Sequence, residues 1–68
     1  MTRQNIVSTN LKSVGYEDET LEVEFKTFSI YQYYNVPESI YFGLLIAVSK
    51  GTFLNTYIKD RYRCRKIR

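Results

Sequence analysis

The sequence predicts a small α+β domain. Its expected architecture is an antiparallel three-stranded meander followed by two helices packed on one face of the sheet, ending in a short edge strand or an ordered tail. Three observations carry this. Apolar and polar residues alternate in the first half, most cleanly in Leu21-Glu22-Val23-Glu24-Phe25-Lys26. In the second half apolar residues recur at three and four, as in Ile40, Leu44, Ala47 and Val48. The change of period falls within Tyr31-Gln32-Tyr33-Tyr34-Asn35-Val36-Pro37, which holds three of the seven tyrosines.

Residues 1–8 show no periodicity and read as a loose lead-in. Leu11–Tyr16 reads as the first strand, and Glu17-Asp18-Glu19-Thr20 as a polar turn without the Asn-Gly signal of the tightest hairpins. In the second strand Leu21, Val23 and Phe25 point to one side, and Glu22, Glu24 and Lys26 to a wet face. A slip of one residue would bury those charges, so the register is strongly specified. Thr27-Phe28 marks a reversal into Ser29–Tyr34, whose two faces, Phe28, Ile30, Gln32, Tyr34 and Ser29, Tyr31, Tyr33, are both partly apolar, so alternation leaves its inner side open.

Pro37 suits the first position of a helix, where its missing N–H costs nothing, and Glu38 complements the helix dipole in the first turn. Ile40, Tyr41, Leu44, Ala47 and Val48 form a core-facing stripe; Phe42, Leu45 and Ile46 extend apolar character around the cylinder. Ser49 is a credible N-cap for a second helix with the stripe Phe53, Leu54, Tyr57 and Ile58.

At 68 residues the chain is one domain near the lower size for independent folding, and its 44% apolar content is that of a globular protein. The longest apolar run, Ile40–Val48, is too short to span a bilayer, and Met1–Val7 lacks an apolar signal core. With Cys64 the only cysteine, no internal disulfide forms, which fits a cytoplasmic protein. The net charge of +3 is uneven. Residues 1–58 carry Arg3, Lys12, Lys26 and Lys50 against six carboxylates, whereas residues 59–68 carry Lys59, Arg61, Arg63, Arg65, Lys66 and Arg68 against Asp60 alone. A mildly acidic body with a basic C-terminal segment suggests an anionic partner.

No constellation suggests catalysis. Without histidine, the usual general base and metal ligand is absent. Basic neighbours favour a thiolate at Cys64, yet no histidine accompanies it, and a structural or incidental role fits it best. Glu17, Asp18 and Glu19 lack calcium-loop spacing and read as a solvated turn, while Glu22 and Glu24 suit cross-strand pairing with Lys12 or Lys26. Gly43 and Gly51 form no phosphate loop. No catalytic residue, metal, cofactor or small-molecule substrate is expected. What remains is aromatic residues plus basic charge, the ingredients of single-stranded nucleic-acid binding. Tyr31 and Tyr33 share a face, as stacking platforms would, although tyrosines of small domains ordinarily pack in the core. The basic segment reads equally as a solubilising tail.

Ser8-Thr9-Asn10-Leu11-Lys12-Ser13-Val14-Gly15-Tyr16, Leu21–Phe25, Tyr31-Gln32-Tyr33 with Val36-Pro37, and Ser49-Lys50-Gly51-Thr52-Phe53-Leu54-Asn55 with Ile58-Lys59 together resemble the KTSC domain. That domain is named for its place at the C-terminus of some lysyl-tRNA synthetases and also occurs as a free-standing small bacterial protein. The likeness covers residue 8 to about 67, and its Tyr-x-Tyr hallmark falls on Tyr31 and Tyr33. It implies a domain of unknown function for which RNA binding is suggested by association. Three departures stand out: Thr27-Phe28 in place of a glycine-rich turn, Phe42 and Ile46 at usually polar helix positions, and Arg63-Cys64 in place of a proline-aromatic pair. The first two add exposed apolar surface; the third bears on how the last segment packs.

The leading expectation is a non-catalytic RNA-binding module, with Tyr31 and Tyr33 stacking bases and Lys59, Arg61, Arg63, Arg65, Lys66 and Arg68 contacting phosphate. The alternative is a protein-interaction or homodimer module using Phe42, Leu45 and Ile46. Binding to an anionic membrane would use the same basic segment, but no long amphipathic helix supports it.

Overall fold

In the computed structural model, which describes residues 1–68, strands β2 (Leu11–Glu17), β3 (Thr20–Phe25) and β4 (Ile30–Tyr33) form the expected antiparallel meander. The sheet has five strands. Its edges come from the two ends of the chain: β1 (Gln4–Asn5) pairs with β2, and β5 (Cys64–Lys66) pairs with β4, in the order β1-β2-β3-β4-β5. Between β4 and β5 run α1 (Glu38–Ile46) and α2 (Lys50–Phe53), the latter continuing into a π-helical turn over Leu54–Ile58. The wide turn is closed by the Lys59 amide donating to the Leu54 carbonyl at 2.8 Å.

Both meander turns are built without glycine. Asp18 and Glu19 have φ of 51° and 62°, the double left-handed pair of a tight two-residue hairpin, with Glu17 opposite Thr20. Asp tolerates that region better than most residues, which is why a tight turn forms without Asn-Gly. At the next reversal Phe28 takes φ 74°, a position glycine would hold without strain, and its ring lies under the Lys12 ammonium at 5.2 Å. A register shift between Leu11 and Ser13 marks a bulge at Lys12.

The core lies between one sheet face and the helices. Leu11, Val14, Leu21, Val23 and Tyr33 meet Val36, Leu44, Leu54 and Ile58, all buried. This settles the inner side of β4: Tyr31 and Tyr33 lie opposite Val23 and Leu21 of β3, beneath the helices, while Ile30 and Gln32 face the other way. Tyr16 closes one end of the core. Its ring stacks on Tyr41 at 4.8 Å and its hydroxyl donates to the Val36 carbonyl at 2.5 Å. Burial, then the charges of Glu19 and Glu38, raise its pKa.

Five expectations require correction. Residues 1–8 are not a loose lead-in, because they supply β1 and bring Arg3 onto the back of the sheet. The back face is not wet at Glu22 and Glu24, which are 7% and 6% exposed. Their partner is neither Lys12 nor Lys26 across the sheet but Arg3, whose guanidinium pairs with Glu22 and lies 3.8 Å from Glu24. Pro37 is the N-cap of α1 rather than its first residue, with an extended ψ of 150°. Val48 leaves the core stripe because Ala47 turns extended (ψ 138°) and ends the helix, so Val48 is fully exposed. Ser49 does cap α2, accepting from the Thr52 amide at 3.3 Å.

Two glycines permit close approaches. A Cβ on Gly15 would lie 2.6 Å from the Thr2 carbonyl, so the N-terminal segment crosses the sheet there only over a bare Cα. A Cβ on Gly43 would lie 2.6 Å from the tip of the Phe53 ring, which fills the space between α1 and α2.

Candidate functional site

The period-two placement of Tyr31 and Tyr33 on β4 puts both beside a groove of about 340 Å³ between the core face of the sheet and the end of the second helix. Its walls are the rings of Phe25, Tyr31 and Tyr33, with Asn55 and Lys59 from the π-helical turn and its end and Cys64 from β5. The groove is amphipathic: rings floor it, and the Asn55 amide, the Lys59 ammonium, the Asp60 carboxylate and the Cys64 thiol rim it. The π-helical turn changes the register of the residues that follow it, and Asn55 and Lys59 both reach this groove.

The two tyrosines are not equivalent. Tyr33 is only 4% exposed and belongs to the core cluster. Burial first, and then the charges that Cys64, Tyr31 and Asp60 carry when ionised, push its hydroxyl up to about 12, so it remains a neutral phenol at physiological pH. Tyr31 is half-buried; it stacks on Tyr33 at 6.5 Å and meets Phe25 edge-on at 5.7 Å. Only Tyr31 therefore keeps substantial ring surface for a ligand.

The basic residues are divided by β5. Its register sets Lys66 opposite Tyr31 and Cys64 opposite Tyr33, on the groove side, and Arg65 opposite Gln32, on the back. Lys59 lines the groove itself. Arg61 is exposed and donates through Nε to the Thr56 carbonyl at 2.9 Å, which satisfies an open carbonyl of the π-helical turn. Arg63 is exposed, with its carbonyl accepting from the Tyr34 amide at 2.9 Å. Arg68 is turned to the back face, where it reaches Glu24 at 3.3 Å and the Phe28 carbonyl at 3.4 Å. The structure thus gathers Tyr31, Tyr33, Lys59 and Cys64 around one groove, sets Lys66 on the same sheet face opposite Tyr31, and leaves Arg65 and Arg68 on the opposite side.

The alternative residues sit on α1. Phe42 and Ile46, four apart, are 52% and 83% exposed, while Leu45 is half-buried against the core. No group of three or more His, Cys, Asp or Glu side chains converges in a way that would hold a metal. Asn55 was not expected at any site. It lines the tyrosine groove and also a second, more polar cavity beside the start of α2. Nothing in its local sequence distinguishes it, because the site is made by the packing of α2 on the sheet.

Comparison with known proteins agrees with the architecture. The model of the KTSC domain matches residues 7–62. A crystal structure of a KTSC domain protein from Yersinia pestis superposes with a TM-score of 0.94 at 40% identity, covering 98% of this chain and 97% of that one. An uncharacterized protein of Stutzerimonas stutzeri is 38% identical over 64 residues, 91% of this chain and 90% of its own length. A lysine–tRNA ligase of Nostoc punctiforme is 38% identical over 55 residues, 78% of this chain but only 10% of the ligase. On the family match, the shared fold and these relatives, the chain belongs to the KTSC domain family.

Proposed function

We propose that this protein is a non-catalytic module that binds single-stranded RNA along the Tyr31 groove. The observation that carries this reading is the single half-exposed tyrosine with lysines on the same side: Tyr31 lies opposite Lys66 on the neighbouring strand, and Lys59 lines the groove beside it. An unstacked base needs an aromatic face and a phosphate needs a cation near it, and the groove offers both at its rim. Arg61 and Arg63 extend the positive charge beyond the groove, whereas Arg65 and Arg68 lie behind the sheet, with Arg68 engaged by Glu24. The presence of a related segment within a protein named as a lysine–tRNA ligase is consistent with an RNA partner.

Binding of a labelled tRNA or short oligonucleotide at several salt concentrations tests this. Lys59, Arg61, Arg63 and Lys66 are four phosphate contacts, and at about 0.7 per contact on a single strand log K falls against log salt with a slope of roughly −3. Neutralising Arg61 and Arg63 together removes about 1.4 from that slope. Affinity indifferent to both salt and these substitutions overturns the reading.

A second reading rests on α1. Phe42 and Ile46 form an exposed apolar pair on one helix face. In this reading the face is covered by a second copy of the chain. Sedimentation over a range of concentrations distinguishes it: self-association abolished by Phe42→Ser supports it, and a strict monomer at high micromolar concentration removes it.

A further inference from the structure

The four basic residues of the body, Arg3, Lys12, Lys26 and Lys50, have very different surroundings. Arg3 is paired with Glu22 and Glu24, and Lys12 lies over the Phe28 ring. Lys26 and Lys50 have neither a carboxylate nor a ring as partner, and both line one cavity of about 690 Å³. The cavity lies between the segment leading into β2 and the start of α2, and no acidic residue lines it. Its other walls are hydroxyls and amides, notably Asn10, Thr52 and Asn55.

We infer that this cavity is a binding site for a phosphate group. Two ammonium groups on a wall free of carboxylates make a local positive potential that no lining side chain neutralises. Lys50 uses one donor on the Ala47 carbonyl at 3.0 Å, which steadies its side chain and leaves two donors free. Ser49 accepts from the Thr52 amide and donates to Thr52 Oγ1 at 2.9 Å, so the Thr52 hydroxyl proton is released to point elsewhere. The turn's own amide is therefore occupied, and recognition falls to the side chains. The Lys26 amide donates to the Asn10 carbonyl at 2.9 Å, which ties the end of β3 to the segment leading into β2.

The wall chemistry also selects the class of ligand. Small-molecule sites are usually lined by apolar groups, whereas here the only apolar residues are Val7 and Val48. Such a cavity suits a hydrated, anionic group, a phosphate with a sugar attached, better than an apolar ligand. Asn55 lines both this cavity and the tyrosine groove, so a phosphate held here lies one side chain away from the groove. The inference does not depend on RNA binding through the C-terminal segment; its cations are Lys26 and Lys50, and its ligand is smaller.

The test is an NMR titration of the full chain at low salt with three probes: inorganic phosphate, a ribonucleoside 5′-monophosphate and the corresponding unphosphorylated nucleoside. The first two are expected to give saturable shifts at Asn10, Lys26, Lys50, Thr52 and Asn55, and the nucleoside none there. Lys26→Gln with Lys50→Gln should weaken phosphate at least tenfold. Because Lys50 also bonds Ala47, Lys26→Gln alone, which keeps that bond, serves as a second variant and should weaken it severalfold. Absence of saturable shifts at these residues, equal response to the nucleoside, or unchanged affinity in both variants overturns the inference. RNA binding that persists through residues 59–68 in that case leaves the proposed function standing.

Discussion

Arg3 holds more of the molecule together than its place near the chain end suggests. Its Nε donates to Ser13 at 3.2 Å, its Nη1 pairs with Glu22, and Glu24 completes the cluster by accepting from Ser13 at 2.8 Å. Gln32 donates to Glu22 at 2.8 Å and Arg68 closes on Glu24 from the other end of the chain. Both termini thus converge on two carboxylates in the middle of the sheet. Burial raises the Glu22 carboxyl, but the hydrogen bonds from Gln32 and Arg3 outweigh it and leave it below its usual value. Glu24 is lowered chiefly by the Ser13 hydroxyl, against burial and aided by Lys12, Arg3 and Arg68. Carboxyls depressed in the fold bind fewer protons there than in the unfolded chain. Their contribution to stability is complete above the unfolded value of about 4.3 and is lost as pH falls through the folded values. Arg3→Ala removes the charge-assisted bond to buried Glu22 and the bond to Ser13, and should cost about 2 kcal/mol in urea denaturation near neutral pH. It should also flatten the loss of stability on acidification below about pH 4.5, since the depression of Glu22 and Glu24 depends partly on Arg3. A variant as stable as the parent, with the same acid profile, would mean that the cluster is incidental.

Among the elements, α1 and α2 meet through the contact of Phe53 with Gly43. Gly43→Ala sets two effects against each other: alanine gains up to about 1 kcal/mol of helix propensity, and its Cβ meets the Phe53 ring, an overpacking worth about 1–3 kcal/mol. The ring is held in place by Tyr57 at 4.7 Å, so the clash wins and the variant should lose about 1 kcal/mol. In a Phe53→Ala background the clash is gone, and the same substitution should become stabilising. A double-mutant cycle by thermal or urea unfolding reads that change of sign; without it, Gly43 is not there for Phe53. This contact also shows what the sequence makes legible and what it hides. The meander, both helices and the Ser49 cap follow from period, proline and hydroxyl, because those signals are local. The five-stranded sheet follows only in part: a short C-terminal edge strand is expected and is β5, whereas β1, two residues long, is too short to establish a period. The single alternation of Glu22 and Glu24 with apolar residues looked like a wet face because nothing in the strand announces that Arg3 will cross it. Val48 looked like core because the end of α1 at Ala47 is set by backbone geometry rather than by a glycine or proline.

At the scale of the whole molecule, the charge asymmetry visible in the sequence survives folding only in part. β5 sends Lys66 to the groove side and Arg65 to the back, and Arg68 is drawn to Glu24. The basic segment is therefore less a tail than an edge strand that belongs to both faces. The tyrosine pair is divided likewise: Tyr33 is architecture, and Tyr31 is the ring still available to a ligand. The candidate site was legible as to residue type but not arrangement, since period two placed Tyr31 and Tyr33 together without saying which would be covered. Lys26, Lys50 and Asn55 come together only through the packing of α2 beside the β1–β2 connection, and no spacing in the sequence links them. Whether RNA lies along the Tyr31 groove is read residue by residue in an NMR shift-perturbation titration with a short single-stranded RNA. The predicted result is saturable, salt-sensitive movement of Tyr31, Asn55, Lys59, Cys64 and Lys66. No movement of these residues at any RNA concentration, or movement confined to Phe42 and Ile46 on α1, would contradict it.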